Sequence, residues 1–329
     1  MSSLKRIDLN EENRSQPVIF FVIPCYNEEE QLPITAPVLS KKITSMIDNG
    51  QISPSSRVLF VDDGSKDNTW SVITSLNTQN STLFHGTKLA HNRGHQNALL
   101  AGLMTALHQD CDATISLDAD LQDDINVFDQ FVSEYTNGAE IVYGVRSSRA
   151  RDTWFKRNTA EAFYRLNGWM GAETIRDHAD YRLMGHAALE ALSQYREVNL
   201  FLRGIVPDLG FKTAIVTYKR GKRAAGESKY PLGKMISFAI QGITSFSVKP
   251  LHFVTGLGCA SIIVGIIMFI YVIASWVNNE VVSGWGSMMC SLWLIGGMLM
   301  VSMGIVGEYI GKIYLETKHR PRYIIEQEI

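Results

Sequence analysis

The spacing of apolar positions divides this chain into three stretches. From residue 18 to about residue 146, short apolar runs alternate with segments whose apolar residues recur at helical intervals. The runs cover 18–23, 57–61, 113–117 and 140–144, and β-branched and aromatic residues dominate them, which predicts strands. Each stops at a polar group: Pro24, Asp62-Asp63-Gly64-Ser65, Asp118 and Arg146. Between runs, residues 96–108 carry Leu99, Leu100, Leu103 and Leu107 at helical spacing. Strands alternating with helices predict an α/β domain with a mostly parallel sheet and ligands at the carboxyl ends of its strands.

The second stretch is amphipathic. Near 154–170, Phe155, Ala162, Leu166 and Trp169 stay close to the ~3.6-residue helical period, with Lys156, Arg157 and Arg165 between them. That segment reads either as a core-packing helix or as one lying in a membrane interface. Residues 231–250 place Ile236, Ile240 and Ile243 on one side and lead straight into an apolar stretch, which predicts a juxtamembrane interfacial helix. The third stretch holds two apolar runs, about 253–276 and 287–310, with Glu308 near the end of the second the one charge in either. As helices each spans roughly 35 Å, enough for a hydrocarbon core of ~30 Å. The expected organisation is a loose tail over 1–16, a catalytic domain over 17–230, the interfacial helix over 231–250, and a transmembrane hairpin with a terminal tail over 251–329.

Charge orients this arrangement. The net charge of −2 conceals a basic run of Lys219, Arg220, Lys222, Arg223, Lys229, Lys234 and Lys249 against the single acid Glu227. The run stops where the first apolar stretch begins, which fits an anionic membrane surface rather than nucleic acid. Residues 277–286 contain no Lys or Arg, whereas Lys312, Lys318, Arg320 and Arg322 follow the second span. The positive-inside rule then predicts a multi-pass protein of the cell (inner/plasma) membrane, with both termini and the catalytic domain cytoplasmic. Cys25, Cys111, Cys259 and Cys290 form no CxxC pair, so neither a disulfide framework nor a zinc site is expected.

Candidate chemistry collects behind the strands. Asp118 and Asp120 leave one strand two residues apart, with Gln122 continuing the spacing. Mg²⁺ and Mn²⁺ favour such carboxylate oxygens and share their shell with substrate phosphate and water. Asp62 and Asp63 follow another strand, where carboxylates accept hydrogen bonds from a base or ribose, or form a simple turn with a helix cap. No GxGxxG and no GxxxxGK[ST] occurs, which argues against a dinucleotide enzyme and a P-loop NTPase. His91, His95 and His178 lack a partner motif for a metal and read as polar-network residues.

Several motifs stand in a recognisable order: Pro24-Cys25-Tyr26-Asn27-Glu28, Val61-Asp62-Asp63-Gly64-Ser65, Asn92-Arg93-Gly94-His95-Gln96 and Asp118-Ala119-Asp120-Leu121-Gln122. Asp180-Tyr181-Arg182-Leu183-Met184, the box from Arg223 to Tyr230 and the ending from Gly307 to Tyr314 follow. Together they resemble glycosyltransferase family 2, in particular its polyprenyl-phosphate glycosyltransferases of the GtrB and dolichol-phosphate mannose synthase type. Tyr181 departs from that group, where a Phe stands.

The resemblance implies a GT-A fold, a nucleotide-diphosphate sugar donor, and inverting transfer to polyprenyl (undecaprenyl) phosphate for cell-envelope glycan modification. It implies a nucleoside pocket of Pro24, Tyr26, Glu28 and Asp63; Asp62, at the same strand end, and Asp118 are read with them as nucleotide-binding. Asp118, Asp120 and Gln122 would hold Mg²⁺ or Mn²⁺, and Asp180 is either a catalytic base or an orienting group. Arg146, Arg157, Arg223 and Lys229 would clamp the acceptor phosphate or bind lipid headgroups. UDP-glucose is the expected donor, with UDP-N-acetylglucosamine second, and a homo-oligomer is expected. A membrane nucleotide-sugar sensor and a subunit moving lipid-linked sugar are the non-enzymatic readings.

Overall fold

The computed structural model describes residues 16–146, 178–198, 200–219 and 284–329, with Gly221 and isolated helical positions between 251 and 277. The interfacial segments near 154–170 and 231–250, most of the 1–16 tail, and Arg157, Arg223 and Lys229 lie outside the described residues. One compact unit comprises Met1–Arg157, Ile175–Lys229 and Pro321–Ile329. The other comprises Asn158–Thr174 and Tyr230–Arg320.

Among the described residues of the first unit, eight strands form one sheet. The run β4 (Ala113–Ser116), β1 (Ile19–Cys25), β2 (Arg57–Asp62) and β3 (Phe84–Leu89) is parallel throughout. β1 is buried along its whole length, as a strand covered on both faces must be, and its Val-Ile-Phe content suits that position. Helices α1 (Leu32–Asp48), α2 (Thr69–Gln79) and α3 (His95–His108) connect these strands. α3 packs unusually close to the sheet. A Cβ at Gly102 would collide with Val22 Cγ1 and Val61 Cγ2, so only glycine lets the helix approach this far.

Beyond β4 the sheet changes direction. After α4 (Phe128–Thr136) come β5 (Ile141–Arg146) and β6 (His178–Gly185), and β6 inserts antiparallel between β4 and β5. Its register sets Ser116 against Arg182. Asp180 therefore lies beside the carboxyl end of β4, where Asp118 leaves the sheet. Helices α5 (His186–Ser193) and α6 (Leu202–Asp208) lead to β7 (Thr213–Tyr218), which pairs with β5 in parallel. This α/β arrangement, with a parallel centre and antiparallel additions, agrees with the expected GT-A class.

In the second unit, α7 (Trp285–Thr317) is 33 residues long and contains the expected span 287–310. Its stretch Ile295–Thr317 is long and apolar enough to cross a membrane and is not buried within the protein. The first expected span is helical wherever it is described. The chain beyond α7, expected only as a tail, instead ends in β8 (Ile325–Glu328), which pairs antiparallel with β3 and returns to the first unit. Backbone bonds join Gly86 and Ile329 reciprocally, and Ala90 donates to the Ile324 carbonyl. Trp70 Nε1 donates to Gln327 Oε1 at 2.9 Å, and Lys88 pairs with Glu326 at 3.1 Å.

Candidate active site

Three loops meet at the carboxyl ends of β1, β2 and β4. Asp62 and Asp63 end β2, and both are buried. Asp63 accepts from the backbone N–H groups of Arg93 (2.6 Å) and Gly94 (2.9 Å), and so shapes the loop before α3. Asp62 accepts from Ser65 N with Oδ1, while its Oδ2 is buried without a hydrogen-bond partner. Burial pushes both carboxyls up in pKa, against the pull of these hydrogen bonds. Gly64 adopts φ +63°, and its missing side chain admits the His91–Asn92 backbone, which a Cβ would meet at 2.6 Å. The loop after β1 is fastened to the same region: Glu28 N donates to Thr69 Oγ1 and Asn27 N to Ser65 Oγ. Pro24 ends up opposite Val61 in the sheet, while Tyr26 is exposed.

The loop after β4 carries the second group. Asp118 is half-exposed, Asp120 is buried, and Leu121 sits at φ 53°, a left-handed conformation that costs a branched side chain energy. Two contacts from other elements and one within the loop hold that bend. Thr35 Oγ1 of α1 donates to the Ala119 carbonyl at 2.7 Å. Gln122 N closes on Asp120 Oδ1 at 3.1 Å. Tyr181 OH of β6 donates to the Asp124 carbonyl at 2.8 Å. The last contact gives the Tyr at this position, where the related group has Phe, a specific partner. Among the described residues no group of three or more His, Cys, Asp or Glu encloses a metal by itself. The Asp118 and Asp120 carboxylates, with Gln122 two residues on, nonetheless fit by donor chemistry an ion that completes its shell with diphosphate and water. Burial raises the pKa of Asp118, as do Asp180 and Asp120, against the opposing charge of His95. A divalent cation would relieve that repulsion.

Arg146 does not stand alone as an anion clamp. Its Nε lies 3.3 Å from Tyr218 OH and its Nη2 3.8 Å from Asp123 Oδ1, and Tyr218 OH itself donates to Asp123. The network ties the ends of β5 and β7 to the residue following Gln122. Burial works against the Arg146 charge, but Tyr218 and Asp123 win and keep its pKa raised.

The third group centres on Asp180, which is 9 % exposed. Its Oδ1 accepts from Arg182 Nη2 at 2.8 Å and Arg203 Nε at 3.3 Å, and its Oδ2 accepts from Arg203 Nη2 at 3.1 Å. His95 Nε2 approaches Asp180 Oδ2 at 3.5 Å and Asp118 Oδ1 at 3.8 Å, bridging the two acids. Burial alone would push Asp180 up in pKa. The His95 hydrogen bond and the Arg203 and Arg182 charges instead hold it well below the usual carboxylate range. Asp180 is thus a fixed anion that gathers cations, which favours the orienting role over the base.

The structure brings Asp118, Asp120, Gln122 and Asp180 to one end of the sheet, with Asp62 and Asp63 two strands away. Sequence reasoning missed Arg203, Asp123 and Tyr218, and gave no role to Arg182. Arg203 carried a faint signal, a lone cation in the apolar run Leu200-Phe201-Leu202-Arg203-Gly204-Ile205-Val206. Gln96, noted only as part of a motif, accepts from Leu202 N at 2.9 Å and fixes the start of α6.

Residues 20–197 match the family described as glycosyl transferase family 2, and residues 249–313 match the GtrB C-terminal hairpin. The chain is 50% identical over 320 residues to the uncharacterized glycosyltransferase YkoT of Bacillus subtilis, covering 96% of this chain and 93% of that protein. It is 37% identical to the bactoprenol glucosyl transferase of Shigella phage SfV, with 94% and 98% of the two chains covered. A prophage bactoprenol glucosyl transferase homolog of Escherichia coli K12 is likewise 37% identical, over 94% of this chain and 98% of its own length.

Proposed function

Since the chain belongs to glycosyl transferase family 2 and carries the GtrB hairpin, we propose that this glycosyltransferase moves glucose from UDP-glucose to polyprenyl phosphate. The observation that carries the reading is the acid–cation cluster at the end of β4 and β6. Asp118 and Asp120 provide anionic ligands, and Asp180 gathers His95, Arg182 and Arg203 immediately beside them. A donor diphosphate and an acceptor phosphate are both negative, and a site that joins them needs cations on each. The names of the bactoprenol glucosyl transferases support a polyprenyl phosphate acceptor and glucose as the sugar. The Lys/Arg asymmetry supports transfer at the cytoplasmic face of the cell membrane.

Asp118, Asp120 and Gln122 would hold the Mg²⁺ or Mn²⁺. Bound there, the ion supplies charge stabilisation to the departing diphosphate. A phosphate oxygen of the acceptor bonds to the anomeric carbon from the face opposite the diphosphate. The bond from that carbon to the β-phosphate oxygen breaks, and its electron pair leaves with UDP, inverting the centre. The acceptor monoester is largely ionised at neutral pH because its second pKa is near ~6. The step therefore needs no strong base, in keeping with the fixed charge of Asp180.

The test is turnover by the purified full chain with undecaprenyl phosphate and radiolabelled sugar nucleotides. UDP-glucose should give a lipid-extractable monophosphate sugar at a higher rate than UDP-N-acetylglucosamine. A product formed only from the latter would reassign the sugar. No lipid product from any nucleotide sugar would reject the acceptor.

A further inference from the structure

The order of strands gives the site a direction. β4 has β1 and then β2 on one side, and β6 on the other. A nucleoside beside Asp62 and Asp63 and a diphosphate beside Asp118 and Asp120 therefore lie along one line that ends at β6. The sugar and its incoming partner belong at that end, beside Asp180. Beside His95, the arginines there among the described residues are buried Arg182 and one-third-exposed Arg203. Arg182 is committed to the fold: it is 1 % exposed, bonds Asp180 at 2.8 Å and reaches the Leu202 carbonyl at 3.4 Å.

Arg203 is held differently. It lies in the first turn of α6, whose start is fixed by the bond from Leu202 N to Gln96 Oε1. Two of its donors, Nε and Nη2, grip both oxygens of Asp180, which sets the guanidinium plane. Its side chain keeps 34 % exposure at the acceptor end of the site. A planar cation, oriented by a buried carboxylate and open to solvent, suits a phosphate monoester.

We propose that Arg203 is a further catalytic residue, contacting the phosphate of the lipid acceptor while Asp180 orients it. The inference rests on the reaction proposed above and names the residue that meets its second substrate. Contact with that phosphate positions the attacking oxygen and offsets the repulsion between two anionic reactants.

The experiment compares wild type, Arg203→Lys and Arg203→Gln as full chains in neutral detergent with Mg²⁺. UDP-glucose binding is measured by calorimetry and transfer rate against undecaprenyl phosphate concentration. A wild type that transfers no sugar overturns the reading of the reaction; with an active wild type, the variants judge Arg203 alone. Both variants should bind UDP-glucose within about twofold of wild type. Their kcat/KM for undecaprenyl phosphate should fall at least about tenfold, with Lys less impaired than Gln because it keeps the charge and loses the fork. Wild-type transfer by Arg203→Gln overturns the proposal. So does a donor affinity that falls in parallel with transfer, since that would place Arg203 on the diphosphate or in the scaffold.

Discussion

Asp180 shows how a residue's neighbours decide between two roles that its sequence context leaves open. A base must hold its proton within reach of the working pH, whereas Asp180 is kept well below the usual carboxylate range by His95, Arg203 and Arg182. Its neighbours therefore favour the ionised form. The acid limb of kcat/KM should therefore follow the acceptor phosphate, rising as pH increases through about 6 and then levelling. A pH–rate profile in which the limb moves when a phosphonate of different acidity replaces the phosphate would bear this out. A limb that stays fixed would return the proton to the protein. The same depressed pKa stabilises the fold above the ordinary aspartate value, and that contribution is lost only as pH falls through the folded value. Asp180→Asn leaves Arg182 buried without its counter-charge, so it should lower stability by about 3–5 kcal/mol. Asp120→Asn, in the loop proposed to hold a cation, should abolish most activity with a far smaller change in melting temperature. Wild-type turnover of that variant, or full turnover of wild type in EDTA, would remove the metal from the mechanism. Tyr181→Phe is gentler. It removes the bond to the Asp124 carbonyl and should cost about 0.5–1.5 kcal/mol in a denaturation experiment.

Among the elements, β8 was the least visible in advance. Ile325-Glu326-Gln327-Glu328 is short, polar and exposed, so neither an apolar run nor clean alternation marks it. It is specified by its partners: the reciprocal Gly86–Ile329 pairing, the Trp70–Gln327 bond and the Lys88–Glu326 pair. Deleting residues 321–329 should expose the edge of β3 and lower the melting temperature, with aggregation rising on heating. An unchanged melting curve and light-scattering onset would show the strand to be dispensable. The buried strands β1, β2, β4 and most of β5 were legible because burial on both faces demands uninterrupted apolar runs. β3 was not, since Phe84-His85-Gly86-Thr87-Lys88-Leu89 breaks the pattern at four of its six positions. β6 was read as chemistry rather than as a strand. Asp180 and Arg182 interrupt its apolar pattern, and they are buried because they satisfy each other. In the site, the acids were legible because they occupy short motifs behind strands. Arg203 and Tyr218 reach it from elements distant in sequence, and only the tertiary fold brings them there.

For the whole molecule, the return of the chain end to the sheet has a consequence for crossing number. The first unit is left after Lys229 and rejoined at Pro321. A path that starts and finishes on the same folded body starts and finishes on the same side of any bilayer it traverses, so its crossings must be even. In the membrane arrangement proposed above, α7 is the one helix among the described residues of sufficient length and apolarity, and the earlier apolar run 253–276 is the second that makes the number even. The loop at 279 should accept an impermeant thiol reagent from outside intact cells when Asn279→Cys is introduced into a background lacking other accessible thiols. Glu326→Cys should not react until the membrane is opened. Labelling of both positions from outside would mean that the terminal strand had left its sheet. β8 is thereby a knot in the thread of the proposed hairpin: while its four residues stay paired with β3, neither proposed span can invert alone.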